Sequence, residues 1–221
     1  TPVTTPSPFT YADIADLATI APMTIHARIY SSALLKPAQA PGLKAGQARY
    51  YVEADVIGLI RGGGPLAARI NYLVDLPLDA RGKPVKLKKK TPVLIFARPV
   101  AGAAPGASST ASVRLVAPDA QLPWDPATET QLRAILTELV KPGAPPAITG
   151  VANGFHVPGT LPGEGETQLF LDTRTGEPVS LTILTAADGS RRWTAAFGEI
   201  VDGSAAIPAR DTLAWYRLAC G

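Results

Sequence analysis

Proline and glycine interrupt this chain so often that few long helices have room to form. The 221 residues include 22 prolines and 20 glycines, and both residue types are typical of turns and of the boundaries between strands. Apolar residues make up 46% of the sequence, which is enough for a buried core and excludes global disorder. The composition therefore favours many short strands joined by turns.

The first half of the chain repeats the period-two alternation of apolar and polar residues that half-buried strands require. A short helix is predicted to begin at its cap Thr10 and to end at Pro22. The strands predicted after it cover residues 23–30, 49–56, 68–74, 93–96 and 112–116. Five strands and one helix predict an OB-like small barrel over residues 10–124, with a compact sandwich as the alternative, behind a Pro-rich arm at 1–9.

The second half begins with the clearest helix signal. Asp125 is placed to cap the helix, Pro126 occupies its first position, and apolar residues follow at helical spacing as far as Val140. We predict a connecting helix over 125–143 and a C-terminal antiparallel β unit over 144–221. Its strands are predicted at 147–157, 166–172, 178–185 and 191–198. The fold class is therefore mainly β (α+β): an OB-like small barrel, then a helix and an antiparallel β meander.

The last segment, 212–220, fits either a helix or a closing strand. Its Thr, Trp and Tyr residues favour the strand.

Few residues suited to catalysis or metal binding are present. The chain has two histidines and one cysteine, and no HxH, HxxxH or CxxC spacing, so we predict no metal and no cofactor. His26 lies on the polar face of a predicted strand without an acidic neighbour in its own segment, and we assign it no role. The glycines at 62–64 precede Pro65 and lack the Lys-Ser/Thr of a phosphate-binding loop.

His156 is the best candidate for acid–base chemistry. Glu164, Glu166 and Asp172 follow it, and a histidine oriented by a carboxylate can activate a water or a hydroxyl. Nothing in the spacing forces these groups together, so a histidine at the surface or at a strand end is the simpler interpretation.

One segment concentrates positive charge, and we name it the basic segment, residues 81–90. Its six cations, with no acid between them, are Arg81, Lys83, Lys86, Lys88, Lys89 and Lys90. This pattern indicates contact with another envelope protein or with an anionic envelope surface, although a solvated loop that protects a sheet edge is the simpler alternative. Nucleic acid is not expected, because the net charge is only +3 and no aromatic residue is interleaved.

Export is expected on two grounds. The chain starts at Thr1 without an initiator Met, as a mature chain does after signal-peptide removal. It also resembles uncharacterised exported proteins of Gram-negative bacteria in the phrases YLVDLP (72–77), VAPDAQLPW (116–124), GEGETQ (163–168) and DTLAWYRLAC (211–220). The resemblance implies a periplasmic or otherwise exported location. Because that family has no assigned activity, it transfers no functional residue.

These observations lead to three hypotheses about function. The first is a non-catalytic exported interaction module, an accessory or structural subunit of a cell-envelope assembly that uses the basic segment. The second is a periplasmic small-ligand or glycan-binding protein, with Tyr30, Tyr51 and the polar row Arg49–Asp55 as its surface. The third is a hydrolase built on His156. No apolar run reaches the roughly 18 residues of a membrane span, so the chain is predicted to be soluble or at most peripheral.

Overall fold

The computed structural model describes residues 9–64, 66–100, 110–198 and 205–220. The chain is mainly β and divides into two compact units, one up to Leu136 and one from Thr137. The predicted Pro-rich arm lies, up to Pro8, outside the described residues.

A short helix precedes the first strand, as predicted. Helix α1 spans Tyr11–Ile20 and begins at a capping box: Thr10 Oγ1 accepts a hydrogen bond from the Asp13 backbone N–H, and the Asp13 carboxylate accepts one from the Thr10 N–H. At its other end, the guanidinium of Arg61 donates to the Ala18 carbonyl at 2.7 Å. This bond satisfies a carbonyl that the last turn leaves without a helical partner.

Six strands of the first unit form a sheet that closes into a barrel. They are β1 (Met23–Leu34), β2 (Gln47–Arg61), β3 (Arg69–Pro77), β4 (Pro92–Pro99), β5 (Thr110–Leu115) and β6 (Gln121–Pro123). Their order is β1-β2-β3-β5-β4-β6, and an additional β1–β4 pairing closes a five-stranded ring. The β3–β5 pair is parallel and the other pairs are antiparallel. This closed ring is the OB-like barrel that the sequence predicted.

The barrel interior follows from the period-two pattern. Ile25, Ala27 and Ile29 of β1 are buried, as are the alternate residues of β2 and β3. Alternation places Thr24 with His26 on the polar face of β1, but Thr24 is fully buried. This face of β1 is therefore covered at this end of the strand.

The connecting helix forms where its cap signal predicts. Helix α2 spans Pro126–Leu139. The Asp125 carboxylate accepts backbone hydrogen bonds from Ala127 and Thr128, at 2.9 and 3.0 Å. Its apolar stripe, Leu132, Ile135 and Leu136, is buried. The division between the two units falls within this helix.

The second unit contains the predicted meander. Strands β7 (Ile148–Pro158), β8 (Gly165–Thr173), β9 (Val179–Thr185) and β10 (Arg191–Phe197) form an antiparallel sheet in the order β10-β9-β8-β7. Sharp turns between successive strands contain Gly176 and Gly189, at φ +79° and +81°. Glycine adopts this left-handed conformation without strain.

The preference for a strand at 212–220 was wrong. Residues Leu213–Cys220 form helix α3, and its start is capped twice. The Thr212 hydroxyl accepts from the Trp215 N–H, and the Glu138 carboxylate accepts from the Leu213 N–H at 2.8 Å. Leu213, Tyr216 and Arg217 then share a buried face at helical spacing. Capping and burial outweigh the β propensity of Thr, Trp and Tyr.

Candidate functional site

The basic segment connects β3 to β4 on the surface of the barrel. All six of its cationic side chains are exposed. Within the described ranges none of the six forms a salt bridge with a carboxylate. Their charges therefore project a positive potential that the described part of the chain does not neutralise locally.

Specific hydrogen bonds hold this segment in place. The Tyr50 hydroxyl, on β2, donates to the Val85 carbonyl at 2.7 Å, and burial raises the pKa of Tyr50. One carboxylate oxygen of Asp79 accepts from the backbone N–H groups of Arg81 and Lys83, at 2.9 and 2.8 Å. At the far end, the Lys90 N–H donates to the Ile29 carbonyl. The basic segment is therefore fastened to the barrel in its middle and at its end, and Asp79 closes a local turn at its beginning.

A groove runs between this segment and the barrel. It has a volume of about 650 Å³ and is lined by Ser32, Leu34, Tyr50 and residues 84–89. Leu34 is 51% exposed and Val85 is 40% exposed. The groove thus combines apolar lining with a rim of lysine ammonium groups.

The polar row of β2, expected as a ligand surface in the second hypothesis, is occupied by internal interactions. Three of its members bond to neighbouring strands: Arg49 to Asp75, Glu53 to Ser31 and Asp55 to Arg69. Tyr30 lies beneath the Arg69 guanidinium, 3.4 Å from the centre of its ring. These groups satisfy one another, so the row offers a ligand few unpaired charges.

His156 and one of its candidate partners share a shallow depression. On β7, His156 Nδ1 lies 2.9 Å from the Thr167 hydroxyl oxygen. Glu164 lines the same depression, which has a volume of about 510 Å³. A Glu164 carboxylate oxygen accepts from the Leu161 backbone N–H at 3.2 Å, and no hydrogen bond joins it to the imidazole in the described part of the chain.

The other two carboxylates are not brought to His156. Glu166 pairs with Val157, so it faces the opposite side of the sheet from His156, and it accepts a hydrogen bond from Gln168. Asp172 pairs with Gly150, several residues farther along β7. Of the three candidate carboxylates, only Glu164 therefore lies in the same depression as His156.

A different histidine lies in a structured cluster. The His26 ring stacks on Trp124, with centroids 4.7 Å apart and planes 11° from parallel. The indole N–H of Trp124 donates to Glu129, whose carboxylate also lies 3.5 Å from His26 Nδ1 and 2.6 Å from an Arg133 nitrogen. Sequence reasoning missed this cluster because no local spacing links His26, on β1, with Trp124 after β6 or with Glu129 and Arg133 on α2.

Burial sets the direction of the pKa shift of His26 but not that of Glu129. It lowers the pKa of His26, the charges of Arg28 and Arg133 lower it further, and Glu129 opposes them. Burial raises the pKa of Glu129, but the hydrogen bonds from Trp124 and Arg133 outweigh it and leave that pKa lowered. Through these contacts His26, Trp124 and Glu129 join β1, the residue after β6 and α2.

No protein-family model matches this chain, and a search of curated proteins finds no relative of it. Over the described ranges, no three His, Cys, Asp or Glu side chains lie together as a metal site would need. Of the helices in the same ranges, none has the length and apolar character required to cross a membrane.

Proposed function

We propose that this protein is a non-catalytic, exported interaction module, an accessory subunit of a cell-envelope assembly. Its basic segment, residues 81–90, binds an acidic surface of another envelope protein. The observation that carries the proposal is a fastened, exposed run of six cations without a salt bridge in the described part of the chain.

The charge pattern supports a binding role over the solvated-loop alternative. Clustered like charges repel one another, so an ordered cluster costs stability unless a counter-charge is supplied. Hydrogen bonds from Tyr50 and to Asp79 and Ile29 hold the segment against this repulsion. An acidic partner relieves it and gains rapid, electrostatically steered association.

The shape of the surface favours a protein over a flat lipid surface. A groove with exposed Leu34 and Val85 accepts a protruding segment with apolar side chains as well as acidic ones. Lipid head groups would reach the lysine rim but leave the groove empty. The periplasmic location rests on the resemblance to exported proteins of Gram-negative bacteria.

Sedimentation of the purified chain with isolated envelopes of its native host tests this proposal. The variant Lys86→Gln/Lys88→Gln/Lys89→Gln is compared with a control that loses the same charge in the second unit, Arg174→Gln/Arg191→Gln/Arg192→Gln. All six residues are exposed. We expect the lysine variant to bind at least about tenfold more weakly and the arginine control to bind like the parent. Added salt should weaken binding of the parent.

Two further samples distinguish a protein partner from a lipid one. Envelopes digested with protease should lose binding, and protein-free vesicles of anionic phospholipid should bind much less than intact envelopes. Equal binding to the vesicles, or an equal loss in both triple variants, would contradict the proposal.

A further inference from the structure

Two arginines stand directly opposite each other on the outer surface of the barrel. Arg98 of β4 pairs with Arg114 of β5 in the antiparallel ladder, and both side chains are exposed. Directly opposed residues of such a pair have Cβ atoms about 5 Å apart, so two like charges there are destabilising. Neither arginine forms a salt bridge within the described ranges.

The segment that joins β4 to β5, residues 100–109, reads VAGAAPGASS and contributes no carboxylate to neutralise this pair. A repulsive pair at the centre of a ladder is the kind of locally unfavourable arrangement that proteins keep where a ligand uses it.

A cavity lies beside the pair. Its volume is about 660 Å³, and its lining includes Arg98, Arg114 and the ion pair of Arg49 with Asp75. Both carboxylate oxygens of Asp75 already accept from Arg49, at 2.6 and 2.7 Å, so this acid is neutralised. Three guanidinium groups against one carboxylate leave the lining with two unbalanced positive charges.

The rest of the lining is apolar. It includes Leu73 and Val100, which are 47% and 41% exposed, together with Val113, Leu115 and Pro118. A volume in the range of roughly 300–1,000 Å³ with apolar walls and a few convergent polar groups is typical of a small-molecule site. Two guanidinium groups side by side match the oxygen atoms of a carboxylate or phosphate.

We propose that this cavity, which we name the Arg98–Arg114 cavity, binds an amphipathic organic anion. The arginine pair binds the oxyanion head group, and Leu73 and Val100 contact the apolar body. This site is separate from the basic segment.

Calorimetric titration of the full chain tests the inference with four probes: octanoate, octyl phosphate, inorganic phosphate and the neutral octanol. One or both octyl anions should bind, and whichever binds more tightly identifies the head group. Arg98→Gln and Arg114→Gln should each weaken that binding by about tenfold or more, because each removes charge-assisted hydrogen bonds. Arg192→Gln, which removes one exposed positive charge from the second unit, should bind like the parent.

The unliganded variants supply an independent measurement. Because each substitution removes a like-charge repulsion, both variants should unfold at a higher temperature than the parent at low salt, and added salt should shrink the difference. If the variants were less stable than the parent, the arginines would have a structural role and the inference would be overturned. Failure of both octyl anions to bind, or equal binding to the parent and to both variants, would also overturn it. Tighter binding of inorganic phosphate than of octyl phosphate would also overturn it.

Discussion

The imidazole of His26 lies flat against the indole of Trp124, with ring centroids 4.7 Å apart, and the Glu129 carboxylate is in reach of both rings. This relationship joins β1, the residue that follows β6 and the first turn of α2. It links the stability of the first unit to the protonation of His26.

Stability of the first unit should fall as the pH is lowered through the range in which free histidine titrates. The folded state lowers the pKa of His26 below its ordinary value of 6.5, so below that pH the unfolded chain binds more protons than the folded one. The free energy of unfolding then decreases with falling pH. Glu129, whose pKa is also lowered, takes up its proton in the unfolded chain mainly around its ordinary value of 4.5, below the range in which histidine titrates. Arg28 and Arg133 remain charged throughout.

Urea unfolding at about pH 7.5 and about pH 5, at constant salt, measures this dependence. The variant His26→Phe keeps the stacked ring but cannot be protonated, so we expect its stability to change less between the two pH values. An equal change in parent and variant would show that His26 is not responsible.

Breaking the Arg49–Asp75 ion pair from one side should destabilise the barrel strongly. The Asp75 side chain is only 4% exposed, so Asp75→Asn leaves the Arg49 guanidinium without its counter-charge, at a cost of about 3 kcal/mol. The double variant Arg49→Met/Asp75→Leu should recover part of that loss. Chemical denaturation measures both free energies of unfolding.

A more exposed ion pair provides the control. Asp55→Asn breaks the pair of Asp55 with Arg69, whose side chains are 48% and 32% exposed, and should cost far less stability than Asp75→Asn. If Asp75→Asn cost no more than Asp55→Asn, burial of the Arg49–Asp75 pair would not have the energetic role assigned to it.

Removing one hydroxyl should loosen the basic segment. In Tyr50→Phe, the Val85 carbonyl loses its hydrogen bond, with a stability cost of about 1 kcal/mol. We expect trypsin to cleave within residues 83–90 several times faster, because local opening exposes the lysine bonds. Tyr51→Phe, at an exposed residue of the same strand, should be cleaved like the parent. Equal rates in all three proteins would mean that Tyr50 does not fasten the segment.

Local patterns predicted the elements well because strands and helix caps are short-range features. The alternation around Ile25, and Asp125 placed before an apolar helical stripe, needed no knowledge of the rest of the chain. The preference for a strand at 212–220 was wrong because it rested on β propensity alone, whereas Thr212 caps a helix and the second cap, Glu138, is remote in sequence.

Contacts between residues on different strands could not be predicted from the sequence. The opposition of Arg98 and Arg114 depends on the β4–β5 register, and the bond between Arg49 and Asp75 depends on the β2–β3 register. Residues that are close in sequence can also be kept apart: Glu166 follows His156 in the chain but lies on the other face of the sheet. The register of the strands decides which side chains come into contact, and register cannot be read from a single sequence.

The central claim is that the basic segment docks on an acidic protein partner. Its most direct test is cross-linking of amines to carboxyl groups in living cells of the native host, followed by native separation and peptide mass spectrometry. We predict that the protein migrates in a complex larger than its own 23.0 kDa, with Lys86, Lys88 or Lys89 joined to Asp or Glu of another envelope protein. A free species of its own mass, with no cross-link from these lysines, would contradict the account.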